Sequence, residues 1–76
     1  MAIRYIVQSF RQVGRRTVPG DPRNARNEDD AKRVAQSVSI KATGVIAYAI
    51  EVDTEGNAVG EPRIIQTLGT VPETQF

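Results

Sequence analysis

The chain contains no cysteine, no histidine and no tryptophan. Disulfides are therefore excluded, and a structural zinc site lacks the thiolates and imidazoles that normally build it. The same absences remove the commonest general base and the commonest thiol nucleophile. No phosphate-binding glycine loop occurs, and Ser9, Ser37 and Ser39 lack the flanking glycines of a nucleophile elbow. The adjacent acids Asp29 and Asp30 point apart on a helix and make no carboxylate dyad. A chain without catalysis, cofactor or bound metal is expected. No run approaches the ~20 apolar residues of a membrane span, and the segment around Met1–Tyr5 lacks the apolar core of a signal peptide. A cytoplasmic protein without a membrane partner is the corresponding expectation.

The chain has 76 residues, which allow one domain, expected over residues 1–72 with a flexible tail at 73–76. A domain this short buries only about 60% of the surface its unfolded chain exposes. With staples excluded, packing and self-association must supply its stability.

Ile3 to about Arg11 alternates as a strand, with Ile3, Tyr5 and Val7 on one face and Ile6 and Phe10 on the other. Arg16–Val18 is a short candidate second strand beyond Gly14. Pro19-Gly20 suits a type II turn, and residues 19–27 read as a loop. Asn27 is a good N-cap, followed by Glu28, Asp29 and Asp30 in the first helical turn. Ala31, Val34, Ala35, Val38 and Ala42 then form a narrow apolar stripe, while Ile40 falls opposite it. Glu28 with Lys32 and Asp29 with Arg33 have ion-pair spacing, and Gly44 suits a left-handed helix stop. Val45–Val52 is a doubly apolar strand, closed by a turn at Asp53–Gly56 that fits a type I turn with a G1 bulge. The strand returns over about Gly60–Leu68, where Pro62 marks an edge or a bulge. The expected fold is α+β: one helix on an antiparallel sheet of three or four strands, in the order β-(β)-α-β-β.

Three candidate sites emerge. Residues 1–26 hold six arginines against Asp21 alone, whereas residues 27–76 hold four cations against eight acids. Arg11, Arg15, Arg16, Arg23 and Arg26 therefore form a candidate contact for a phosphate ligand or nucleic acid. Glu28–Asp30 at the same helix end oppose it, exposed aromatics are few, and a solvated or self-pairing basic face is favoured. Asp53-Thr54-Glu55-Gly56-Asn57 begins like a calcium loop, but Ala58 and Ile64 occupy its required glycine and bidentate-acid positions, so a plain turn is expected. In the central strand Val45, Ala47 and Ala49 match the small helix stripe. Ile46, Tyr48 and Ile50 then face the uncovered side, with Ile65 from the return strand, and form a candidate homodimer interface; the alternative is that the helix covers these larger residues and leaves the alanine face exposed. The expected activity is a small protein-interaction module acting as a homodimer with a further protein partner unknown; nucleic-acid or phosphate-ligand binding through the arginine-rich N-terminal region is the alternative.

The succession Val18-Pro19-Gly20-Asp21-Pro22, Asn27-Glu28-Asp29-Asp30-Ala31, Gly44-Val45-Ile46-Ala47-Tyr48 and Leu68-Gly69-Thr70-Val71-Pro72 resembles a group of small uncharacterised alphaproteobacterial proteins. The resemblance covers most of residues 3–72. It implies the same fold and a bacterial cytoplasmic setting, and assigns no site residues.

Overall fold

A computed structural model describes residues 2–71; the tail expected at 73–76 lies outside them. The elements are β1 (Ala2–Val13), β2 (Arg16–Pro19), β3 (Arg23–Ala25), α1 (Glu28–Ser39), β4 (Gly44–Val52) and β5 (Ala58–Gly69). One helix lies on an antiparallel five-stranded sheet, the α+β fold read from the sequence with one strand more than expected. The strand order is β2-β1-β4-β5, and β3 also pairs with β1.

That extra strand corrects the loop expected at 19–27. β2 pairs with Phe10–Val13 and β3 with Tyr5–Val7, so both lie along the same edge of β1. Gly20 stays on the ladder by donating its N–H to the Ser9 carbonyl at 2.8 Å. No type II turn forms, because Gly20 is not among the glycines with positive φ. The ladder breaks at Asp21-Pro22, where proline has no N–H to offer. Gly14, at φ 62, closes the β1–β2 hairpin in two residues.

The helix begins where its cap predicts. Asn27 is extended and its side-chain oxygen accepts from the Asp30 N–H at 2.8 Å. The Asp30 carboxylate reaches past the cap and accepts from the Arg26 N–H at 3.0 Å. The expected stop at Gly44 is wrong. The helix ends at Ser39, and Ile40 keeps right-handed geometry and is 83% exposed. The last turn is closed by Lys41 N–H donating to the Val38 carbonyl at 3.1 Å. Gly44 instead opens β4, where a Cβ would collide with the Thr70 carbonyl as β5 runs out beside it.

Small residues set the seam between the layers. Ala31 and Ala35 are fully buried against Val7, Val45 and Ala47. Two buried methyl groups contribute only about 1–2 kcal/mol at ~0.8 kcal/mol each, so much of the stabilisation lies in the strands they cover. Tyr5, Val38, Ile65 and Leu68 border this core.

The β4–β5 turn has the expected form: Gly56, at φ 86, donates to the Asp53 carbonyl at 3.0 Å. The Asp53 carboxylate accepts from the N–H groups of Glu55 and Asn57, which occupies the first oxygen ligand a calcium loop would need. β5 is an edge strand, and its register shifts against β4 between Ala47 and Tyr48 and again between Ala49 and Glu51. Pro62 falls in the second irregular stretch, as its missing N–H requires.

Gly60 and Gly69 both hold positive φ, 80 and 69. A Cβ on Gly60 meets nothing, whereas one on Gly69 collides with the Thr43 carbonyl. Gly60→Ala should therefore destabilise by about 1–2 kcal/mol, the conformational term alone. Gly69→Ala should lose clearly more in urea unfolding; equal losses would refute the close approach of β5 to Thr43.

Candidate functional site

Alternation along β1 and β4 assigns every ladder position to a face. Tyr5, Val7, Val45 and Ala47 pack on the helix side. The opposite face carries, rung by rung, Arg4 with Ile50, Ile6 with Tyr48 and Ile64, Gln8 with Ile46 and Thr67, and Phe10 with Gly44 and Gly69. Ile46, Tyr48 and Ile50 thus share the helix-free face, with the small strand residues under the helix.

Ile65 does not join them. The bulge between Ala47 and Tyr48 puts one extra β5 residue into the ladder, so Tyr48 pairs with Ile64 while Ile65 packs on the helix core. Ile64 takes the place expected of Ile65 and is 46% exposed. The face is also less open than the sequence suggests. Phe10, Ile46 and Val52 are buried within the chain, at 1%, 6% and 5% exposure. Val71 covers part of this side, its Cγ1 lying 3.0 Å from where a Gly44 Cβ would stand. Burial raises the Tyr48 hydroxyl above the ordinary tyrosine range.

The face is nearly free of charge. Among its ladder-paired positions in the described residues only Arg4 is a charged residue. The helix side carries Arg11, Arg16, Arg23, Glu51 and Arg63 at equivalent positions.

The five candidate arginines separate into two places. Arg11 lines an open groove of about 420 Å³ with Lys41, Asp21 and Val38. Arg23 lines an adjoining groove of about 220 Å³, again with Val38 and Lys41. Arg16 lies further along the same face, opposite Val13, and Arg15 occupies the hairpin turn. Arg26 is elsewhere, at the start of α1, where its Nε stands 3.9 Å from Asp30. It does not join the others. Lys41 was missed in the sequence because only the return of the helix along β1 and β3 brings it between Arg11 and Arg23.

The acidic helix start is internally satisfied. Arg33 donates to Asp30 at 2.6 Å, and Arg63 on β5 donates to Glu28 at 2.8 Å. These replace the Asp29–Arg33 and Glu28–Lys32 pairs expected from spacing, because Asp30 faces Arg33 and β5 passes beside Glu28. The Arg63 hydrogen bond and charge hold the Glu28 carboxyl below its ordinary range. The Arg33 hydrogen bond, followed by the Arg26 N–H, does so for Asp30. An anion is repelled here by carboxylates that already hold the local cations.

Among the described residues no group of three or more histidine, cysteine or acidic side chains is placed to hold a metal, and no helix is long and apolar enough to cross a membrane. No family model, curated protein or solved structure matches the chain.

Both lowered carboxyls stabilise the fold only while ionised in it. Their contribution is present above the unfolded values near 4 and is lost as pH falls through the lower folded values. The thermal midpoint should therefore drop between about pH 4 and pH 2. Asp30→Asn should make that drop shallower in circular-dichroism melts; an unchanged slope would show that the Arg33 and Arg26 contacts do not act on stability.

Proposed function

We propose that the protein is a non-enzymatic interaction module that pairs with a second copy of itself through the helix-free sheet face. The observation that carries this reading is the loss of charge from one face of a sheet whose other face is normally charged. Depletion of charge, with aromatic and aliphatic residues at the centre, is how the cores of protein interfaces differ from ordinary surface. Ile64 supplies exposed apolar area at that centre, beside Ile6, Tyr48 and Ile50.

A second copy suits this face better than a charged partner, whose ionic groups would be desolvated without counter-charges. Two-fold pairing with the axis across the strands keeps the two Arg4 residues apart. Arg4 lies one same-face rung from the Ile6–Tyr48–Ile64 row, so the pair separates by about 13 Å along the strands. That exceeds the ~8 Å screening length at physiological salt. Edge-to-edge pairing is less suited, since the bulges and Pro62 on β5 interrupt its free edge. The absence of cysteine supports a cytoplasmic setting, because small secreted domains commonly rely on disulfides.

Light scattering on the full chain at tens of micromolar should give twice the 8.3 kDa chain mass, and 0.5 M NaCl should not dissociate the pair. Ile64→Asp should yield a folded monomer, since Ile64 contributes little to the chain's own core. A wild-type chain that stays monomeric at 100 µM refutes the proposal.

A further inference from the structure

We infer that the basic groove at the end of α1 is a contact surface for the phosphate backbone of a nucleic acid, centred on Arg11, Arg23 and Lys41. It lies on the helix side of the sheet, so it is separate from the face assigned to pairing. Lys41 stands between the two arginines, lining one groove with each.

The length of the basic row fits a polyphosphate. Arg23 lies opposite Val7 and Arg16 opposite Val13. Six β1 residues separate these rungs, about 20 Å at 3.3–3.4 Å per residue. One nucleic acid strand presents a phosphate every ~3.4 Å of helix axis, so the row passes about six of them. A single small anion would use only a fraction of it.

The cations are also unspent. Among the described residues, ion pairs engage Arg26, Arg33 and Arg63 only. The side chains of Arg11, Arg15, Arg16, Arg23 and Lys41 donate no hydrogen bond to any described group. Cations retained to satisfy the helix C-terminus would direct their donors onto its last carbonyls. Here the Val38 carbonyl is met by the backbone N–H of Lys41 instead. Asp21 is the single carboxylate lining the groove. Guanidinium forks are suited to phosphate oxygens, and the ammonium adds a point charge between them.

The mode of contact follows from what the groove lacks. Phe10 is buried, and Tyr5 packs against the helix core. No aromatic lines either groove to stack a base. The surface therefore reads backbone charge rather than base edges, and binding is independent of sequence and steeply dependent on salt.

Fluorescence anisotropy of the full chain with a labelled 20-nucleotide single strand and a 20-base-pair duplex of mixed sequence tests this. At least one should bind at 50 mM NaCl. With about three phosphate contacts, raising salt to 200 mM should weaken binding about 10- to 50-fold. The triple variant Arg11→Gln/Arg23→Gln/Lys41→Gln should bind at least about tenfold more weakly at 50 mM, whereas Arg26→Gln should stay within about twofold of wild type. Single variants Arg11→Gln and Lys41→Gln, each exposed and outside the core, repeat the comparison should the triple variant unfold. Ile64→Asp should retain binding, which keeps this result distinguishable from failure of the pairing. No binding of either nucleic acid at 50 mM, salt-independent binding, wild-type affinity in the basic-groove variants, or binding of heparin alone would overturn the inference.

Discussion

The seam of Ala31 and Ala35 against Val45 and Ala47 is the constraint on which the other features depend. Small side chains let the helix backbone lie close to the sheet, and that closeness fixes which face of β4 is covered. Because β4 is apolar on both sides, covering one face commits the larger residues Ile46, Tyr48 and Ile50 to the other. A bulkier seam would lift the helix and leave a void, since a packed interior tolerates neither gaps nor overfilling without loss of stability. The narrow stripe also explains why one helix is too slight a lid. The chain makes up part of the deficit itself: Phe10, Ile46 and Val52 are buried without the helix, and Val71 covers Gly44.

The same geometry sorts the charges. α1 starts beside Arg63 of β5 and ends beside Arg11 and Arg23. Its acidic first turn is drawn into ion pairs with Arg26, Arg33 and Arg63, while its far end comes to rest among cations that have no such partners. The uneven charge along the sequence therefore becomes a division in space, though not the one the sequence implies. Arg26 belongs to the acidic end despite its place in the basic segment, and Lys41 belongs to the basic end despite its place outside it.

What the sequence made legible was whatever is encoded locally. The Asn27 cap, the alanine stripe, the Asp53–Gly56 turn and the alternation of β4 each depend on residues within a few positions, and each appears in the fold. The misreadings share a different origin. β3 has no pattern of its own, since Arg23-Asn24-Ala25 becomes a strand only because β1 offers it a free edge at Tyr5–Val7. Ile64 and Ile65 exchange faces through a one-residue bulge, and period-two alternation carries no mark of where a bulge falls. Gly44 looked like a helix stop because glycine has two uses. Here the close passage of Thr70, 26 residues further along the chain and outside any local signal, requires it.

The two proposed surfaces constrain each other. Pairing across the helix-free face leaves both basic grooves pointing outward, one on each subunit. A two-fold axis along the strands would bring the two hairpin ends together, with Arg11, Arg15 and Arg16 of both copies gathered at one pole. That arrangement concentrates like charge and opposes association. An axis across the strands sends the grooves to opposite poles, relieving the same repulsion and separating the two Arg4 side chains. The electrostatic preference thus selects one geometry for two independent reasons, and in it each groove would meet its own stretch of nucleic acid. Dimerisation would then change affinity only where one strand is long and flexible enough to reach both poles, because linked sites gain from each other only when the connecting chain can span them.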